Sequence, residues 1–142
     1  MDIPPIGPSY LPPEQRKPGS TGPGSEPSDW VTNPTGDPEK DFNQDINYAL
    51  SQSIKEQWEW LKENPHCSMH ELDTKLGEIV NKWERTMLEH LHRLADKGGP
   101  AYEDFYQKQG IAGRASNHYI TEMFPVEQDL TRHWEALNGK QK

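Results

Sequence analysis

Residues 37–65 read DPEKDFNQDINYALSQSIKEQWEWLKENP, and this stretch decides the fold class. Asp37 is a good N-cap, because its carboxylate can accept from the free N–H groups of a first helical turn. Pro38 suits the first helical position, where its missing N–H would have had no partner anyway. Glu39 then adds negative charge where the helix dipole is positive. Phe42, Ile46, Leu50, Ile54, Trp58 and Leu61 recur at nearly every fourth residue, drawing one apolar stripe on an amphipathic helix. Asn64-Pro65 ends it, since the residue before a proline is pushed out of helical geometry. The pattern predicts a helix over 38–63.

Downstream, Ser68-Met69-His70-Glu71 has the form of a capping box, in which the Ser hydroxyl and the Glu carboxylate satisfy free N–H groups reciprocally. Leu72, Leu76, Ile79, Val80, Trp83, Met87, Leu91 and Leu94 follow at spacings of mostly three and four, and Gly98-Gly99 closes the run. A second helix over 69–97 is therefore expected. The short connection Asn64–Cys67 makes the two an antiparallel hairpin. Pro100 to Gln109 reads as two or three turns presenting Tyr102, Phe105 and Tyr106, ended by Gly110. Ala112–Met123 reads as a weaker helix with Ile120 and Phe124 facing inward, because Gly113, Ser116 and Asn117 dilute its first half. Pro125 is expected to open a separate last helix with Val126, Leu130, Trp134 and Leu137 on one face. No stretch alternates with period two. The expectation is an all-α domain, a long antiparallel hairpin covered by two or three shorter helices.

Upstream the composition changes. Ten of the 13 prolines lie before residue 41, among Gly, Ser and Thr and with few aliphatic residues. Such a segment buries too little apolar surface to offset its ordering entropy. Residues 1–36 are expected to form a disordered arm, residues 37–139 a single helical domain, and 140–142 a frayed end. Ile3, Ile6, Tyr10 and Leu11 near the start, and Trp30 later, are the apolar residues with which such an arm would dock into a partner's groove. On the first helix Trp58 and Trp60 are two apart and cannot share a face. Trp60 is thus a third aromatic candidate for partner binding, after Tyr10 and Trp30.

Charge narrows the function classes. The formal net charge is -8, and the bases are interleaved with acids instead of forming a dense run. Phosphate neutralisation by Lys and Arg dominates nucleic-acid affinity, and anionic membranes attract polybasic segments. Neither partner is expected. The single Cys67 rules out an intrachain disulfide and fits a reducing compartment. The N-terminus lacks the basic and apolar regions of a signal peptide, so a soluble cytoplasmic protein is expected.

No constellation has the specificity of a catalytic triad or a zinc knuckle. His66, Cys67 and His70 have metal-ligand side chains at short spacing, but a structural site needs four ligands and no second Cys/His cluster follows. His90 and His92 project about 200° apart and cannot share a metal on one helix face. The many carboxylates fall on charged helix faces and are read as solvated. No metal and no cofactor is expected. Within 110–124, Arg114, His118 and Glu122 supply the residue types of a small toxin-like hydrolase, and this is the competing enzymatic reading. The leading expectation is a non-enzymatic interaction module whose partner is another protein, with homo-oligomerisation through the long hairpin as a third reading.

Overall fold

The computed structural model describes residues 29–139, and the arm residues Ile3, Ile6, Tyr10 and Leu11 lie outside that range. The described residues form four α-helices with no strand among them: α1 (Pro38–Glu63), α2 (Met69–Gly98), α3 (Pro100–Lys108) and α4 (Ile111–Asn138). The two N-terminal signals act as their chemistry implies. The Asp37 carboxylate accepts from the Lys40 N–H at 3.2 Å. Both arms of the Ser68–Glu71 capping box are made, each at 3.0 Å. Between α3 and α4, Gly110 takes a left-handed conformation (φ 58°), which a residue with a Cβ adopts only under strain.

α1 and α2 run antiparallel. Phe42, Ile46 and Leu50, from the start of α1, share a buried cluster with Met87, Leu91 and Leu94, from the end of α2. Leu61, at the other end of α1, sits with Leu72 and Leu76 at the start of α2. Midway, the Lys82 ammonium bridges both Glu56 oxygens at 2.6 Å. α4 lies across both clusters, giving Ile111, Tyr119 and Met123 to the first and Val126, Leu130 and Trp134 to the second. A polar layer joins them. The Tyr119 hydroxyl donates to the Val80 carbonyl at 2.7 Å and lies 2.9 Å from the Ser53 hydroxyl, which accepts from the buried Gln57 amide. Buried polar groups fix a register only when every member is satisfied, and this layer satisfies its members by side chains from α1 and α4 and a carbonyl from α2.

The end of α4 locks the α1–α2 turn. Trp134 donates its indole N–H to the Cys67 carbonyl at 2.7 Å, and Asn138 donates to the Pro65 carbonyl at 2.7 Å. His66 Nδ1 lies 2.9 Å from Asn138 Oδ1, and His66 is thereby engaged in this turn.

Two expectations need correction. The chain after Gly110 is one 28-residue helix, longer than α1, instead of two short ones. Pro125 lies inside it on the exposed side. There the missing N–H faces solvent, and the buried stripe Ile111, Ala115, Tyr119, Met123, Val126, Leu130, Trp134 passes through unbroken. Burial of seven side chains outweighs the roughly 3 kcal/mol that an interior proline costs. The same rotation reverses Ile120 and Phe124, which are 37% and 60% exposed, and leaves Leu137 at 44%.

The second correction concerns where order begins. Residues 29–36, assigned to the arm on composition, pack against the helices as an irregular strap. Trp30 and Val31 lie against the α1–α2 cluster, and Val31, Thr35 and Gly36 are hydrogen-bonded to helix side chains.

Candidate binding surfaces

The strap lies in a groove whose walls are α1, α2 and the start of α3. Trp30 fills its aromatic end. The indole stacks on His90 with ring centroids 3.8 Å apart and planes 5° from parallel, meets Tyr48 edge-on at 4.8 Å, and lies 6.4 Å from Trp83. Trp83 is held in turn by its indole N–H donating to Glu56 at 3.0 Å. His90 is the inward member of the His90–His92 pair, and His92 is exposed beside Asp96. Burial, followed by the nearby Arg93, holds His90 below the ordinary imidazole range, so the stacked ring is neutral at physiological pH.

The rest of the strap is held through its backbone. The Asp45 carboxylate accepts from the Val31 N–H at 2.7 Å. Asp41 accepts from the Thr35 N–H and hydroxyl, each at 2.8 Å, and from the Tyr102 hydroxyl at 2.5 Å. Tyr102 accepts from the Gly36 N–H at 2.8 Å. Lys97 donates to the Thr32 carbonyl and Gln44 to that of Asp29. Asp41 and Asp45 are 0% and 1% exposed, so the expectation that the carboxylates are all solvated fails at these two. Burial, with Asp41 and Asp29 close by, pushes Asp45 up to about 6 against the pull of the Val31 N–H. Burial and the bond to Asp41 raise Tyr102, keeping it a donor. A faint signal was present in the sequence. Asp41 and Asp45 are four apart and immediately precede Phe42 and Ile46, which puts both beside the apolar stripe.

The second surface is the outer stripe of α4. Ile120, Phe124, Glu127 and Thr131 are spaced four, three and four apart and so share one face. Phe124 borders an open recess of about 570 Å³ lined, among the described residues, by Phe124, Glu127, Gln128, Thr131 and Arg132. Arg132 is paired with Asp129 on the same helix.

The enzymatic candidates are placed as follows. Arg114, His118 and Glu122 fall at four-residue intervals along one face of α4. His118 Nε2 is buried, has no hydrogen-bond partner among the described residues, and lies 3.9 Å from Glu122. Burial lowers its affinity for a proton, opposed by Glu122, so the ring is neutral at physiological pH. The recess beside Phe124 includes none of the three. Trp60 is half-buried against the Leu61–Leu72–Trp134 cluster, and Trp58 meets His133 edge-on at 5.4 Å beside the same cluster. Among the described residues no three His, Cys, Asp or Glu side chains converge as a metal site, and no helix is long and apolar enough to cross a membrane.

No protein-family model matches the chain, and no curated protein or solved structure matches it.

Proposed function

We propose that this protein is a non-enzymatic protein–protein interaction module, a cytoplasmic adaptor or accessory protein whose helical domain presents the outer stripe of α4 to another protein while its N-terminal arm tethers or docks. Phe124 carries this reading. It is 60% exposed in the middle of a helix whose other face is fully used, and Ile120 stands one turn away. Single exposed apolar residues need no explanation, but a Phe that borders a recess with a polar rim, with an exposed Ile one turn away on the same face, has the make-up of an interface core. Full burial of a Phe contributes about 1.5–3 kcal/mol, enough to rank it as an anchor. The test is affinity capture from native extract with the full chain and with Phe124→Glu, both checked for helicity. The reading expects partner proteins recovered with the wild type and lost with the variant, and equal recovery would refute it.

One observation favours a hydrolytic reading, the buried nitrogen of neutral His118, which has no hydrogen-bond partner among the described residues and is suited to act as a base. It predicts a hydrolytic activity of the purified chain that His118→Ala removes without loss of fold.

A further inference from the structure

The strap is bound the way peptide-recognition grooves bind extended ligands. Its aromatic residue enters a box built by Tyr48, Trp83 and His90. Five of its backbone groups are read by helix side chains: Asp45, Asp41 and Tyr102 take the N–H groups of Val31, Thr35 and Gly36, while Lys97 and Gln44 take the carbonyls of Thr32 and Asp29. Main-chain hydrogen bonds give such a site affinity with little regard to sequence, and one side-chain pocket gives it selectivity. The two carboxylates are informative. Among the described residues neither has a Lys or Arg ion-pair partner, although burying a carboxylate is expensive unless it is paired or hydrogen-bonded. Among the described residues Asp45 accepts from the strap alone, and Asp41 accepts from the strap and from Tyr102.

We infer that the groove between α1 and α2 is a receptor for an extended peptide segment anchored by one tryptophan, and that residues 29–36 are its resident occupant in cis. The occupant in trans is a partner protein's segment of the same chemistry: a Trp, then free backbone N–H groups, with no carboxylate among the residues that follow the Trp. Removal of the strap uncovers both Asp41 and Asp45, so a segment that adds carboxylates beyond the single one the strap itself carries at Asp29 is repelled. The strap sets the threshold, since any trans ligand must outcompete a tethered rival present at high effective concentration. This surface is separate from the α4 stripe, and the two assignments stand or fall independently.

The probe is a labelled synthetic peptide with the sequence of residues 27–36, titrated against the full-length chain by fluorescence anisotropy. Trp30→Ala in the protein empties the aromatic box, and Val31→Pro removes the N–H that Asp45 accepts. Both changes lie in the strap, and circular dichroism reports whether the helices persist. The inference expects the peptide to bind either folded variant at least tenfold more tightly than the wild type. A peptide with Ala in place of its Trp should lose that binding. No uptake by either folded variant at millimolar peptide would overturn it. So would binding that ignores the Trp of the peptide. A concentration-dependent wild-type dimer that Trp30→Ala abolishes would make a second copy the occupant and overturn the commitment to a different partner. If Trp30→Ala unfolds the helices, the Val31→Pro titration decides.

Discussion

The Tyr102 hydroxyl donates to Asp41 Oδ2 at 2.5 Å and accepts from the Gly36 N–H at 2.8 Å, so one side chain of α3 joins the first turn of α1 to the strap. Sixty-one residues separate the pair, and both are buried. Tyr102→Phe keeps the ring but leaves Asp41 short of a donor. Chemical denaturation should show a loss of about 1–3 kcal/mol, the cost of an unsatisfied buried polar group. A change within a few tenths would mean that water replaces the hydroxyl.

The Tyr102 ring has its position because Gly98 has no side chain. A Cβ at Gly98 would lie 2.1–2.6 Å from three Tyr102 ring and Cβ atoms, and those atoms are held by the Asp41 bond. Gly98→Ala should destabilise by about 1–3 kcal/mol through overpacking. Gly77, in the exposed middle of α2, has nothing within 4 Å of the same added atom. Gly77→Ala should stabilise by about 0.5–1 kcal/mol through helix propensity alone. Thermal melts of the two variants should move in opposite directions.

Asp45 gives the stability a pH signature. Its native pKa, raised from 3.8 to about 6, means that the folded state holds this proton more tightly than the unfolded chain. Its contribution is full below about pH 4 and is lost as pH rises through 6. The loss is on the order of 3 kcal/mol at most, from about 1.4 kcal/mol per pKa unit. Asp45→Asn keeps an acceptor for the Val31 N–H and carries no charge. The variant should gain on the wild type between pH 4 and 7, measured by urea midpoints. His90 titrates in the opposite sense but is common to both proteins, so it cancels in the comparison. Parallel pH profiles would show that Asp45 does not titrate in this window.

Pro125 is a local cost that packing overrides. Pro125→Ala restores one backbone hydrogen bond on the exposed side of α4 without touching the buried stripe. Stability should rise by about 1–3 kcal/mol. An unchanged or lowered midpoint would refute the reading of Pro125 as a local cost.

The helices were legible wherever a local signal coincided with the apolar period. Asp37-Pro38 and the Ser68–Glu71 box mark the starts of α1 and α2, and Asn64-Pro65 and Gly98-Gly99 mark their ends. α4 was misread because Pro125 is a strong local breaker, while the stripe from Ile111 to Trp134 that overrules it depends on tertiary burial. The strap was hidden for the same reason. Trp30, Val31 and Thr35 stand in proline-rich sequence, and their partners His90, Asp45 and Asp41 are supplied by the assembled helices. Phe124 was expected inside because it continues the spacing of Ile120, and only the rotation fixed by Tyr119 and Met123 turns both outward.

The interaction role of α4 is tested most directly by photo-crosslinking in native extract. A photoreactive residue replaces Gln128, which lines the recess beside Phe124, or Asp73, which is exposed on α2 as a control. The account predicts a discrete crosslinked protein from position 128 that Phe124→Glu abolishes, and none from position 73. Equal labelling from both positions, or none from position 128 in extract whose proteins are captured by the wild-type chain, would contradict it.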